Sequence, residues 1–263
     1  MTDKLFNVEK KIVIFGGSGT LGQQFAKTLA SANAKVFILD KVKPNIINDN
    51  IKFYSCDVKS KKSIFEILSK VIKKEKKIDT MIYSVYCKPK NYYKSFFDYD
   101  LITWNEVFKA NVTGAFLASQ FLTKHFIKNK IEGNIILVLS TYGIVGPDLD
   151  IYKGLKISKN IYGGKFPLTT PISYTSSKSA LLGMVKYIST TCGKFNIRAN
   201  AITPGGVFDG QEKTFVNRYS KKVPLKRMAN YFDYNGAILF LSSDASKYMT
   251  GTNLVIDGGW TAW

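Results

Sequence analysis

The amino-acid sequence predicts an α/β fold, a three-layer doubly wound parallel sheet built as a single domain over residues 1–263. Three observations lead there. Short apolar runs alternate with amphipathic stretches along the chain, which implies parallel βαβ units with right-handed crossovers. Of the 263 residues, 45% are hydrophobic, enough for a substantial core without disulfide or metal staples. A glycine-rich turn also follows the first apolar run directly.

The elements follow in order. Residues 11–15 (KIVIF) are a β-branched run stopped by Gly16 and read as a strand. Residues 21–30 carry Leu21, Phe25 and Leu29 one helical turn apart and read as a helix. Strands are expected at 35–39 and 51–54, and a helix at 62–73 from the spacing of Ile64, Leu68 and Val71. A strand at 80–83, helical stretches over about 101–129 and a strand at 134–139 come next. The last group is a helix at 174–192, a strand at 197–202, a helix near 234–241 and a strand at 254–256. Two stretches break the rhythm. One, at about 144–172, holds Pro147, Gly154, Gly163, Gly164, Pro167 and Pro171 and reads as a lid-like insertion; the other, at about 205–224, reads as a substrate loop.

Composition removes several classes of function. The apolar runs are far shorter than the roughly 18 to 20 residues of a membrane span, and the N-terminal apolar stretch is too short for a signal peptide. A cytoplasmic protein without membrane partners is expected. Cys56, Cys87 and Cys192 form no CxxC pair and have only His125 to complement them, so no metal site is expected. The formal charge of +19 comes from 35 lysines and three arginines, Arg198, Arg218 and Arg227. Nucleic-acid readers favour the arginine fork. The excess therefore reads as the codon bias of an AT-rich genome or a basic face for an anionic substrate, and no nucleic-acid partner is expected. Lysines within 153–165 are the candidates for meeting a substrate phosphate or carboxylate.

The turn at 16–22 (GGSGTLG) joins the first strand to the first helix. Small residues there let the backbone approach a pyrophosphate at a helix N-terminus. Asp40, at the end of the second strand, can accept hydrogen bonds from ribose hydroxyls and would repel the extra phosphate of NADP, so NAD is favoured. Alternatively, Asp40 only caps a loop. Asp57, after the third strand, is a candidate contact to the adenine edge. Tyrosine and lysine four residues apart share a helix face, so the ammonium can lower the phenol pKa toward neutrality. The spacing occurs at Tyr86/Lys90, Tyr152/Lys156 and Tyr174/Lys178, and only the last pair opens a long helix. Ser140 closes the fifth strand, at the sheet edge where ligands bind in open α/β folds. Asn111 is either an ordinary polar helix residue or one that interrupts the helix and holds a water linking Lys178 to solvent.

The turn at 16–22, Asp57-Val58, Asn111-Val112-Thr113-Gly114, Ser140, Tyr174-Thr175-Ser176-Ser177-Lys178, Pro204-Gly205 and the ending Ile256-Asp257-Gly258-Gly259 occur in an order that resembles the short-chain dehydrogenase/reductase family over essentially the whole chain. The resemblance implies a Rossmann-type fold and a nicotinamide-dependent oxidoreductase. It implies Tyr174 as general acid/base, Lys178 lowering its pKa and binding the nicotinamide ribose, Ser140 orienting the substrate and Asn111 supporting a proton relay. The cofactor contacts it implies are Gly16, Ser18, Gly19, Thr20, Leu21, Gly22, Asp40, Asp57, Val58, Ser84, Tyr174, Lys178, Pro204, Gly205 and Val207. Within the family, 204–211 (PGGVFDGQ) and the ending 260–263 (WTAW) are similar to bacterial oxidoreductases of flagellin modification and nonulosonic acid pathways. A sugar or nucleotide-sugar substrate and a homotetramer or homodimer are the corresponding expectations.

The chain also departs from the family pattern. Thr20 stands where the turn usually has its middle glycine, and Tyr83-Ser84-Val85-Tyr86 replaces the usual Asn-Asn-Ala-Gly, which predicts crowding on the adenosine side of the cofactor. Two other readings remain beside a sugar-directed oxidoreductase: a 3-oxoacyl thioester reductase, and a catalytically weak dinucleotide-binding or sensing protein. A serine hydrolase is disfavoured, since no G-x-S-x-G elbow accompanies His125.

Overall fold

Alternation along the first strand divides the molecule. In β1 (Lys11–Phe15), Val13 and Phe15 enter the core on one face of the sheet, while Ile12 and Ile14 enter the core on the other. Neighbouring side chains of a strand point to opposite faces, so a strand apolar at every position must be covered on both. The computed structural model of the protein describes residues 6–162 and 165–263, apart from the Lys159 side chain. Its other strands are β2 (Lys35–Asp40), β3 (Ile51–Ser55), β4 (Thr80–Tyr83), β5 (Asn134–Val138), β6 (Arg198–Pro204) and β7 (Asn253–Ile256). All seven are parallel, in the order β3-β2-β1-β4-β5-β6-β7. The chain direction of strand addition reverses between β1 and β4, and a cleft opens there beyond the carboxyl ends of the strands.

Helix α1 (Thr20–Ser31) covers one face through Phe25, Ala26 and Leu29. Helices α2 (Lys61–Glu75) and α4 (Gly114–Asn129) cover the other, and α3 (Leu101–Phe108), joined to α4 by a π-helical turn, Lys109–Thr113, packs through Val107 in a separate cluster with Tyr92 and Tyr93. The long α5 (Ile172–Cys192) packs beside them through Leu181 and Val185. Helix α6 (Lys213–Lys222) precedes α7 (Asn235–Ser242), which returns to the α1 face. Among the described residues, no helix is long and apolar enough to cross a membrane.

The stretch at 205–224 differs from its reading as a loop, because α6 occupies much of it. The helix is short, its exposed face is basic, and Phe215 and Tyr219 are its buried residues, too few for a periodicity in sequence. The stretch at 144–172 contains short 3-10 turns at Leu149–Tyr152 and Ile157–Lys159. The two stretches pack on each other: Tyr152 stacks on Phe215 at 5.2 Å, Ile151 joins Phe215, Tyr219 and Trp260 in a separate apolar cluster, and Lys222 pairs with Asp148. Trp260 is buried and stacks on Tyr219, whereas Trp263 is exposed. Gly163 and Gly164 lie outside the described residues.

Candidate active site

The glycine-rich turn is dictated by contact. Gly16 has φ +73°, and a Cβ there would sit 2.5 Å from the Ser84 carbonyl oxygen; a Cβ on Gly22 would sit 2.2 Å from the Gly16 carbonyl oxygen. Gly19 is different, since a Cβ would meet nothing within 3.4 Å and its bare backbone faces the cleft with Thr20, Leu21 and Gly22. Helix α1 begins there with no side-chain cap and no acidic residue in its first turn. Uncapped amides at a helix start suit a bound pyrophosphate, so the turn fits a dinucleotide. Asp40 fixes the turn from β2: one carboxylate oxygen accepts from the Ser18 N–H at 3.0 Å, the other from the Lys41 N–H at 2.7 Å. Asp57 lies past β3 in an ion pair with Lys41 at 3.0 Å. Although partial burial works to raise it, the Lys59 N–H and Lys41 hold its carboxyl below the usual range. Val58 packs against the core beside it.

Within Tyr83-Ser84-Val85-Tyr86, Tyr83 does not crowd the adenosine side as expected. Tyr83 is buried beneath the cleft, donating to the Ala110 carbonyl, because Gly114 leaves room for its hydroxyl. Of the other three, Ser84 and Val85 line the cleft at Gly16, and Tyr86 lies further on, its ring 5.2 Å from that of Tyr174.

Tyr174 and Lys178 stand on one face of α5, with Lys178 Nζ 5.9 Å from the Tyr174 ring centre. Both line the cleft with Ser140, which follows β5. The expected lowering of the phenol toward neutrality is absent in the protein itself. Burial pushes Tyr174 up to about 12, against a hydroxyl contact from Ser140 that works downward. The same desolvation pulls Lys178 down to about 8. Its ammonium donates to the Val138 carbonyl at 2.8 Å and the Val85 carbonyl at 3.4 Å. Asn111 sits fully buried in the π-helical turn, donating to Ser177 Oγ at 3.0 Å and accepting from the Cys87 N–H at 3.2 Å. Its bonds therefore tie the segment after β4 to α5 one residue before Lys178. Pro204, the last residue of β6, and Gly205 and Val207 beyond it border the cleft.

The sequence of residues 10–153 matches the family model described as short chain dehydrogenase, and 157–261 matches one described as Enoyl-(Acyl carrier protein) reductase. The chain belongs to the short chain dehydrogenase family. It is an oxidoreductase with a dinucleotide cofactor. A short chain dehydrogenase from Leptospira borgpetersenii, solved with bound NAD+, superposes with a TM-score of 0.87 at 30% identity, covering 99% of this chain and 96% of that one. The post-translational flagellin modification protein A of Campylobacter coli is 26% identical over 96% of this chain and 99% of its own length. The 2-dehydro-3-deoxy-D-gluconate 5-dehydrogenase of Escherichia coli is 28% identical over 98% of both.

In this short chain dehydrogenase the cleft continues past Tyr174 into a region that sequence reasoning missed. Tyr93, Tyr142, Tyr152, Tyr162, Gln211 and Asp209 line it, together with Lys88. The lysines singled out within 153–165 do not fill this role: Lys153, Lys156 and Lys165 are exposed and border no part of the cleft, while the Lys159 side chain lies outside the described residues. The available signal was positional, since Lys88 follows β4 at the carboxyl edge of the sheet, where ligands bind.

Proposed function

We propose that this dehydrogenase uses NAD(H) to interconvert a secondary alcohol and a ketone on a polar, sugar-derived substrate. The observation that carries the reading is the convergence of Ser140, Tyr174 and Lys178 on one cleft with the glycine turn. Bound nicotinamide would supply or accept the hydride. In reduction Tyr174 Oη gives its proton to the carbonyl oxygen, and in oxidation it takes the hydroxyl proton. Ser140 Oγ hydrogen-bonds that same oxygen. Lys178 Nζ, held by the Val138 carbonyl, binds the nicotinamide ribose. Asn111 is a positioning residue, acting through Ser177 and the segment at Cys87.

Asp40 supports NAD over NADP, because its carboxylate stands at the turn where a 2′-phosphate would add a like charge. A sugar substrate and a place in flagellin or surface-glycan modification are suggested by the Campylobacter relative. A homotetramer or homodimer in the cytoplasm fits the exposed Phe96, Phe97, Leu101 and Ile102. Reduction of a 3-oxoacyl thioester is the second reading, favoured by the family match over 157–261.

The test is a fluorescence titration with NADH and NADPH, run beside turnover of ketoses and alditols. NADH should bind tighter, and Tyr174→Phe should lower turnover by about 10²–10⁴-fold, the range for a lost general acid/base, with NADH affinity held within a few-fold. Equal turnover by Tyr174→Phe would overturn the role given to the phenol, and tighter NADPH binding would overturn that given to Asp40.

A further inference from the structure

Lys88 is the one ammonium that lines the cleft beyond Lys178 among the described residues, and it has no ion-pair partner there within 4 Å. Its Nζ lies over two rings instead, 3.4 Å from the centre of Tyr162 and 4.6 Å from that of Tyr86. Ring faces stabilise a cation by about 0.5–2 kcal/mol but leave its N–H donors without acceptors. Burial pulls the amine down to about 8, and Asp209 is near enough to oppose that shift without forming an ion pair. The enclosure is built: Gln211 donates to the Tyr162 hydroxyl at 3.0 Å and to the Val207 carbonyl at 3.0 Å, holding the ring under the ammonium.

A second observation points to a ligand in the same space. Tyr93 and Tyr142 are each 7% exposed and line the cleft, and their hydroxyls, which lie beside those of Tyr86 and Tyr152, make no well-formed hydrogen bond among the described residues. Buried hydroxyls are normally satisfied, so these two are suited to a partner that arrives with the substrate. Tyr86 connects the two halves, since its ring lies against both Lys88 and Tyr174.

We propose that the substrate is a polyhydroxy carboxylate, with its carboxylate on Lys88 Nζ, its hydroxyls on Tyr93 and Tyr142, and its reacting carbon at Tyr174 and Ser140. The charge balance selects a carboxylate over a phosphate. With Asp209 already close to the ammonium, a carboxylate adds one negative charge beside it, whereas a phosphate dianion would add two, so the carboxylate meets less repulsion. The inference rests on the proposed alcohol and ketone chemistry, but it concerns a different group from the one that moves the proton.

The test uses the NADH-loaded and NAD-loaded protein with hexonates, the matching hexitols and hexose phosphates, scoring binding by saturation-transfer NMR and turnover by NADH absorbance. Hexonates should bind and turn over in preference to hexitols and hexose phosphates. Lys88→Met should raise hexonate KM by about 10- to 100-fold, the loss expected for a hydrogen bond to a charged group, with a much smaller change in kcat. Lys88→Arg should recover most of the binding, and the NADH dissociation constant should stay within twofold in both variants. Preference for hexose phosphates or hexitols would overturn the proposal, as would hexonate KM unmoved by Lys88→Met or no hexonate binding at all. Loss of Tyr174-dependent turnover of every alcohol, with Lys88-dependent hexonate binding intact, would instead count against the catalytic reading alone.

Discussion

Lys178 shows how a cation lining the cleft is held at a cost to stability. Burial pulls its amine from an ordinary 10.5 down to about 8. Between those values the unfolded chain binds the proton more tightly than the folded one, so stability rises with pH across the window. Below pH 8 both states are charged, and the full cost of the buried ammonium is present. The stability of wild type minus that of Lys178→Met, from urea unfolding, should therefore grow by roughly 3 kcal/mol between pH 8 and 10.5, at 1.36 kcal/mol per unit. A difference that stays flat would mean the ammonium is better solvated than its surroundings indicate. The Tyr174/Lys178 pair was legible because its spacing coincided with the start of a long helix. Lys88 was not, because Tyr162 and Asp209, which define its surroundings, lie far along the chain and meet it only in the fold.

At the scale of elements, Tyr83 and Gly114 are one device. The tyrosine ends β4 and sends its hydroxyl to the Ala110 carbonyl in the π-helical turn, and α4 starts with a glycine where it passes. A Cβ on Gly114 would lie 2.2 Å from that hydroxyl and 2.7 Å from the Val58 carbonyl oxygen. Gly114→Ala should destabilise the protein by about 1–3 kcal/mol through overpacking. Tyr83→Phe should destabilise it as well, by freeing the Ala110 carbonyl. In the double variant the methyl takes space left by the hydroxyl, so the two losses should add to less than their sum. Strict additivity in denaturant unfolding would show that the contact is not shared. In the sequence the same tyrosine reads as an intrusion on the cofactor side. Position along a strand gives the face a side chain enters, but the depth available there is set by a helix that begins 31 residues later, at Gly114.

For the whole molecule, charge dominates. A formal net charge of +19 on 263 residues is carried mostly by lysines, and a one-signed surface repels itself in the folded state. Salt shortens the range of that repulsion to roughly 8 Å at physiological strength. The melting temperature should accordingly rise from low salt to about 0.3 M NaCl, by some 2–4 °C for each kcal/mol of repulsion removed in a domain of this size. A fall over the same range would mean that ion pairs such as Lys10–Asp244 and Arg227–Asp233 outweigh the excess.

The sequence by itself determined the order of strands and helices apart from α6, the parallel sheet and the glycine turn, because each depends on periodicity or steric demand within a few residues. It also pointed to Ser140, Tyr174 and Lys178, which sit where β5 ends and α5 begins. Only the tertiary structure decided that 144–172 and α6 close on each other, that Tyr83 belongs to the core, and that Lys88 rather than Lys153, Lys156 or Lys165 faces the cleft. Those outcomes depend on which distant side chains share one desolvated space. Burial and charge pairing belong to that space rather than to any local run of sequence.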